Sequence, residues 1–247
     1  AAGEEPGVGW ARYCAQLLWH GEALVYQSSC PDLRFAPGWD DRLRADLKAA
    51  QQGENKRVAL SWVSREHGEE SWQWVCRDIG GDGSNSVPAG ALLAPEFDER
   101  FGWIRFSERR FGRARPDPLP VAFAAAENVF AGAELLREAP ADPLVSALPL
   151  HGQLTCENAR LHTHGWDVLA PGANVTWRGA SSSQEAGEMF RCTEAFEEQR
   201  ARADSLLGRR CGAWAPLEGE PADLPVPTAC FWTVLRDQDP SPWDVGR

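Results

Sequence analysis

The side chains best suited to ligate a transition metal are those of His151, His162 and His164, because neutral imidazole is a common ligand for such metals. His162 and His164 lie two positions apart, and residues at i and i+2 do not share a face of a helix. A histidine near the C-terminus of a helix also interacts favourably with the helix dipole. The spacing therefore favours structural roles for His151, His162 and His164 over a metal site.

The cysteines and a glycine cluster supply no recognisable reactive motif. None of the seven cysteines forms a Cys-x-x-Cys pair, so a zinc site is not expected. Their density is far below that of a disulfide scaffold, and we expect mostly buried thiols. The cluster Gly80–Gly83 lacks the Gly-Lys that completes a phosphate-binding loop, and it is expected to form a surface turn.

Tryptophan is unusually frequent, with twelve residues, and a flat apolar ring can stack on a sugar. It is equally a core and interface residue. Trp214, Trp232 and Trp243 lie in a Pro-rich C-terminal tail, residues 209–247. We expect this tail to wrap a surface, its own or a partner's, with these three tryptophans as docking anchors.

Composition limits the class of protein. The chain has 247 residues, of which 43% are hydrophobic, enough for one sizeable domain. The net charge of -11 repels phosphate backbones, so a nucleic-acid partner is not expected. No apolar run is long enough to span a membrane. The start at Ala1 without Met, together with the acidic charge, fits an organellar or lumenal protein whose targeting peptide has been removed.

The hydrophobic pattern predicts an alternation of helices and strands. The predicted helices are residues 10–19, 40–50, 133–138, 153–164 and 194–207. The predicted strands are residues 23–27, 58–63, 91–95, 103–106, 167–169 and 174–177. Residues 1–9 are expected to be flexible, residues 10–208 to form an α/β domain, and residues 209–247 to form the extended tail.

Two blocks carry the strongest family signal. The first is Leu33–Asp41, with the sequence LRFAPGWDD, and the second is His162–Gly172, with the sequence HTHGWDVLAPG. Both closely resemble the GlcNAc-transferases that modify polypeptide hydroxyproline, which are GT-A glycosyltransferases. Further stretches follow in the same order, from about Trp10 to about Gly208. The scaffold positions shared with the family are Arg34, Phe35, Pro37, Gly38, Trp39, Asp40, Gly152, His164, Gly165, Trp166, Asp167 and Pro171.

The resemblance implies a fold class and its limits. We expect a mixed sheet with flanking helices that corresponds to the C-terminal half of a GT-A domain. The family begins with a Rossmann-like half that holds the sugar nucleotide, and no stretch before Trp10 corresponds to it.

The positions that hold metal-binding and acidic residues in the family hold different residues in this chain. A GT-A enzyme uses Mg²⁺ or Mn²⁺ to neutralise the leaving diphosphate, through hard oxygen ligands. The family's Asp-Ser-His corresponds here to Ser28–Asp32, where Asp32 is the only carboxylate and so a weak candidate ligand. The family's Gly-Glu-Glu corresponds to Gly152-Gln153-Leu154, and Gln153 does not accept a proton at neutral pH. Glu157, one helical turn later, is the remaining candidate base.

Three functions are compatible with these residues. We favour a non-catalytic, glycosyltransferase-like pseudoenzyme that serves as an accessory or structural subunit of a larger assembly, without cofactor. The alternative is a diverged metal-dependent glycosyltransferase that transfers GlcNAc from a UDP-sugar to a protein hydroxyl, with Mn²⁺ or Mg²⁺. A carbohydrate-binding module without turnover is the third possibility.

Overall fold

The computed structural model describes residues 8–30, 32–67, 87–98, 103–145, 148–179, 201, 203 and 204. Several sequence expectations lie outside this part of the chain. They concern Gly80–Gly83, most of the predicted helix at residues 194–207, and the whole tail with Trp214, Trp232 and Trp243.

The described helices and strands alternate along the chain. The helices are α1 (Val8–Gln16), α2 (Trp39–Ala50), α3 (Glu134–Glu138) and α4 (Leu150–Thr163), with a 3₁₀ turn at Pro143–Val145. The strands are β1 (Leu24–Gln27), β2 (Leu33–Phe35), β3 (Val58–Ser61), β4 (Arg65–His67), β5 (Gly90–Asp98), β6 (Trp103–Arg110), β7 (Leu119–Pro120), β8 (Val129–Gly132), β9 (Asp167–Ala170) and β10 (Thr176–Gly179).

The strands form three sheets. The largest has five strands in the order β1-β8-β3-β9-β7, and β3 and β9 are its parallel pair. A second sheet has the order β2-β10-β4, in which β10 pairs antiparallel with β2 and parallel with β4. The third is the antiparallel hairpin of β5 and β6. Mixed pairing with helices interspersed makes this an α/β fold, as expected from the sequence.

Alternate residues of the five-stranded sheet pack on opposite faces, as the period of two along a strand requires. On β3, Val58 and Leu60 pack with Leu43 and Leu47 of α2. Ala59 faces the other side and packs with Leu161 of α4. A third cluster joins α4 to the β5–β6 hairpin through Trp103, Ile104, Phe106, Leu154, Cys156 and Ala159.

The structure differs from the sequence prediction at several elements. The first helix ends at Gln16, and Leu17 and Leu18, expected on its packed stripe, are 63% and 71% exposed. Helix α4 begins three residues earlier than predicted, and the last strand is displaced by two residues. The short strands β2, β4, β7 and β8 were not predicted. Each owes its conformation to a partner distant in sequence, which local patterning does not contain.

None of the described helices combines the length and the apolar character needed to cross a bilayer.

Candidate functional site

The turn that follows β1 is held by its own residues and by a neighbouring turn. The Cys30 amide donates to the Ser28 hydroxyl at 3.0 Å, and the Ser29 amide donates to the Ala126 carbonyl at 3.2 Å. The Cys30 thiol is partly buried and free. The turn therefore lies against residues 125–128, which precede β8.

A buried polar network lies beside this turn. The Tyr26 hydroxyl donates to Asn128 Oδ1 at 2.6 Å, and Asn128 Nδ2 donates to the Trp62 carbonyl and to Ser64 Oγ at 2.9 Å each. Thr176 Oγ1 contacts Ser64 Oγ at 2.9 Å and accepts from Trp62 Nε1 at 2.7 Å. Burial raises the pKa of Tyr26, so its hydroxyl stays protonated as the donor. Paired polar groups of this kind fix one arrangement of the surrounding strands.

Arg178 on β10 lies among three carboxylates beside this network. Its Nη2 is 3.2 Å from Glu108 and 3.4 Å from Glu66, and its Nη1 is ion-paired with Glu127. Glu127 Oε2 also accepts from the Ser64 amide at 2.8 Å. Burial raises the pKa of Glu127 despite the guanidinium beside it. Burial alone would lower the pKa of Arg178, but the carboxylates of Glu127 and Glu108 outweigh it and raise that pKa.

The residues at the turn after β1 do not fit a hard divalent cation. Asp32 is exposed, the Ser28 hydroxyl is engaged within the turn, and Cys30 is a soft ligand. Within the described ranges, no three His, Cys, Asp or Glu side chains form a group that could hold a metal. No reaction step is therefore assigned to a metal at this turn.

The Gly152-Gln153-Leu154 stretch lies inside the packed core rather than along an open site. A Cβ at Gly152 would lie 3.1 Å from the Trp103 ring, so glycine permits the close approach of α4 to β6. Gln153 is buried, and its Nε2 donates to the Leu148 carbonyl at 2.6 Å. Leu154 belongs to the core cluster between α4 and the hairpin.

Glu157, the remaining candidate base, is a partly buried ion-pair partner of Arg12. Arg12 Nη1 donates to both of its oxygens, at 2.7 and 2.6 Å. Arg12 Nη2 also reaches Gln27 Oε1 at 3.4 Å. The pair thus connects α1, α4 and the end of β1, and the carboxylate would have to leave Arg12 to act on a substrate.

The three histidines of the sequence analysis take part in separate local contacts. His164 Nδ1 is 2.7 Å from the Arg160 carbonyl, and burial lowers its pKa. Nδ1 of His151 accepts from the Phe106 amide at 3.2 Å. His162 is partly buried on the last turn of α4.

The end of α4 explains the His-Gly-Trp sequence. Gly165 has φ 73°, a left-handed conformation that glycine adopts at little cost. The Gly165 amide donates to His162 and the Trp166 amide donates to Leu161, both at 3.0 Å. These two bonds define a Schellman motif, and Trp166 and Leu161 pack in one cluster as that motif favours.

The two blocks that carry the family resemblance contribute to one hydrophobic cluster, through Ala36 and Trp39 of the first block and Leu169 of the second. Within the first block, Phe35 and Trp39 pack ring to ring at 4.7 Å, and Gly38 has φ 68° just before α2. Asp46 of α2 accepts from the Gly172 amide of the second block at 3.0 Å. Burial raises the pKa of Asp46. These contacts position β2 and β10, and therefore Arg178.

Sequence reasoning missed Tyr26, Glu127, Asn128 and Arg178. Glu127 and Asn128 did carry a signal, since they are polar residues within the apolar run from Val121 to Phe130. No local pattern distinguishes Arg178 from the other arginines.

A groove between α1 and β1 borders the same turn. It has a volume of about 510 Å³ and reaches Ser28 and Ser29 at one end. Its walls include Arg12, Trp19 and Leu24. A cavity of this size is large enough for a small ligand or a short stretch of peptide.

Comparison with known proteins identifies one family. The family model described as "Glycosyltransferase (GlcNAc)" matches residues 2–211. No curated protein matches the chain significantly, and no solved structure does so.

Proposed function

The chain belongs to the GlcNAc glycosyltransferase family. Within this family we propose that it is a non-catalytic member that serves as an accessory or structural subunit of a larger assembly. The finer assignment that we propose is the GT-A branch that modifies polypeptide hydroxyproline, on the resemblance of Leu33–Asp41 and His162–Gly172. In this proposal the fold is retained, and the side chains at the family's catalytic positions contribute to packing instead.

The state of the Gly152–Leu154 stretch is the observation that carries the proposal. Its only polar side chain, Gln153, donates to the Leu148 carbonyl within the core. The nearest acid on the same helix, Glu157, holds two hydrogen bonds from Arg12. A general base must lie within hydrogen-bond reach of the proton that it removes. Gln153 does not accept a proton at neutral pH, and Glu157 could do so only after losing Arg12.

Arg178 adds a second argument. Its guanidinium occupies the space among Glu66, Glu108 and Glu127, so these carboxylates are held by a fixed internal cation. Glu127 is the most buried of the three, at 18% exposure, against 47% for Glu66 and 41% for Glu108. Because a buried carboxylate left without its partner is strongly unfavourable, the pair of Arg178 and Glu127 is an integral part of the fold.

An active, diverged GlcNAc-transferase is the second candidate, favoured by one observation. The groove of about 510 Å³ ends at Ser28 and Ser29. Glu127, whose pKa burial raises, is flanked by Ala126, which accepts from the Ser29 amide, and by Asn128, which accepts from Tyr26. A carboxyl group with a raised pKa is suited to proton transfer near neutral pH. In this reading the residues that hold the sugar nucleotide come from another chain or from residues outside this sequence.

Donor binding separates the two candidates. Isothermal titration calorimetry with UDP-GlcNAc and Mn²⁺ is expected to give no micromolar binding, because the turn after β1 has no suitable ligand set. Micromolar affinity would overturn the non-catalytic proposal. If such binding were lost in Glu127→Gln but kept in Glu108→Gln, the transferase would be the better description, because Glu127, unlike Glu108, directly precedes Asn128, the hydrogen-bond partner of Tyr26.

A further inference from the structure

Strand β1 forms an open edge of the five-stranded sheet. It pairs with β8 on one side, and no described strand pairs with its other side. Ala133 donates to the carbonyl of Ala23 at 3.0 Å, and these two residues are opposite each other in the β1–β8 register. Hydrogen-bonded pairs alternate along an antiparallel ladder. Val25 and Gln27 therefore bond to β8, while the amides and carbonyls of Leu24 and Tyr26 point to the open edge.

The groove defined above runs along this edge and is bounded by α1. Its walls are largely apolar, with Ala11, Ala15, Leu18, Leu24, Val25 and Leu136 among them. Leu18 and Leu24 are 71% and 36% exposed. A helix beside an open strand is the arrangement in which an extended peptide binds by strand addition, where the backbone bonds to the edge and side chains enter the groove.

The C-terminal tail contains a segment with the composition of a strand. Residues 228–235 read TACFWTVL, which combines β-branched and aromatic residues without charge or proline. Pro227 precedes the segment, and Arg236 and Asp237 follow it. Its lack of charge also avoids repulsion from a chain of net charge -11. Such a segment promotes aggregation when it has no partner strand.

We propose that residues 228–235 add to β1 of the same chain as a sixth strand and fill the groove between β1 and α1. Of the 43 residues that follow Asp204, the last described position, the first 24 lead to Thr228. Extended, 24 residues span roughly 80 Å. A domain of about 200 residues is roughly 40 Å across, so the segment reaches the edge.

The inference does not depend on whether the domain transfers a sugar. It places Trp232 on this chain's own domain and leaves Trp214 and Trp243 to contact a partner. It also gives a packing partner to Leu18, which lines the groove and is 71% exposed.

Amide hydrogen exchange by NMR on the full chain tests the proposal. The Leu24 and Tyr26 amides should be protected in the wild type. They should exchange at least about tenfold faster in Trp232→Pro, because proline removes a ladder donor and disrupts an added strand. Ala222→Pro places the same change elsewhere in the tail and should leave both amides protected. The Val25 and Gln27 amides, bonded to β8, report whether the domain remains folded.

Two further measurements test the proposal in case Trp232→Pro does not fold. Leu18→Asp changes the groove without touching the tail and should speed exchange at Leu24 and Tyr26 similarly. A synthetic peptide of residues 226–237 should restore protection when added to Trp232→Pro. Equal exchange of Leu24 and Tyr26 in wild type and both variants would overturn the proposal. Protection that rises with protein concentration, or that appears only with another polypeptide, would also overturn it in favour of a second copy or a different partner.

Discussion

At the scale of single residues, the partner of each polar side chain decides what chemistry it can offer. Glu157 and Gln153 are the acid and the amide that lie beside and within the Gly152-Gln153-Leu154 stretch of α4. Arg12 holds the first and the Leu148 carbonyl holds the second. Glu127 differs in its position, because it lies between Ala126 and Asn128, which contact Ser29 and Tyr26 at the turn after β1. Burial raises its pKa, and it is ion-paired with Arg178, so an activity that used it would first have to release that partner.

We expect the stability of the folded protein to depend on pH through His164. Burial lowers its pKa, and Arg160 and Arg57 act in the same direction, while the Arg160 carbonyl and Glu138 oppose them. Its folded-state pKa is therefore below the unfolded value of about 6.5. The unfolded state binds more protons between these two values, so stability is full above about pH 6.5 and falls as the pH drops through the folded-state pKa.

The replacement His164→Asn should reduce this loss, since asparagine does not titrate. Urea unfolding between about pH 7.5 and pH 5 measures the free energy at each pH. An identical profile for wild type and His164→Asn would contradict the prediction.

At the scale of elements, α4 is the helix that determines how the site residues are arranged. Thr155 accepts from the Ile104 amide at 3.0 Å and His151 accepts from the Phe106 amide, so α4 satisfies backbone donors of β6. Asn158 accepts from the Ala124 amide at 2.7 Å and returns a bond to the Ala124 carbonyl at 3.1 Å. The helix thus fixes both the hairpin and the turn that carries Glu127.

Gly152→Ala tests the close approach of α4 to β6. The new Cβ would lie 3.1 Å from the buried Trp103 ring and 3.3 Å from Leu148 Cβ. Overpacking a core costs about 1–3 kcal/mol, and better helix propensity returns up to about 1 kcal/mol. We expect a net loss of about 1 kcal/mol by denaturant unfolding.

Gly53→Ala is the control for this substitution. A Cβ there meets only the Ala50 carbonyl oxygen, at 3.5 Å, so stability should change by less than about 0.5 kcal/mol. If Gly152→Ala were as stable as the wild type, the contact between α4 and Trp103 would not require glycine at position 152.

At the scale of the whole molecule, we propose that the domain and the tail that follows it have separable roles. The described sheets and helices enclose their own core clusters, and the family match ends at residue 211, close to where the tail begins. A domain with its own core is expected to fold without the extended segment that follows it.

Deleting residues 212–247 should therefore release the chain from its assembly while residues 10–208 stay folded. Size-exclusion chromatography of the complex isolated from its source measures the first effect, and a thermal melt measures the second. Trp214→Ala with Trp243→Ala is expected to weaken association more than Trp232→Ala does, because Trp232 is assigned to the chain's own groove. Unchanged association after the deletion would refute docking through the tail.

The positions of most helices and strands followed from the sequence because their causes are local. The apolar spacing of α2 and the uninterrupted run of β3 each lie within a dozen residues. The family membership also followed from the ordered blocks from Trp10 to Gly208, and the match over residues 2–211 confirms a glycosyltransferase family. Strands β2 and β4 could not be found in this way, since each has three residues and pairs with β10 far along the chain.

The sequence by itself therefore determined the family and the α/β class. Only the tertiary structure decided which polar groups neutralise one another. Arg12 and Glu157 are 145 residues apart, and Tyr26 and Asn128 are 102 residues apart. Hydrogen bonds and ion pairs act over a few ångströms in space, and no spacing along the chain encodes them until folding brings their atoms together.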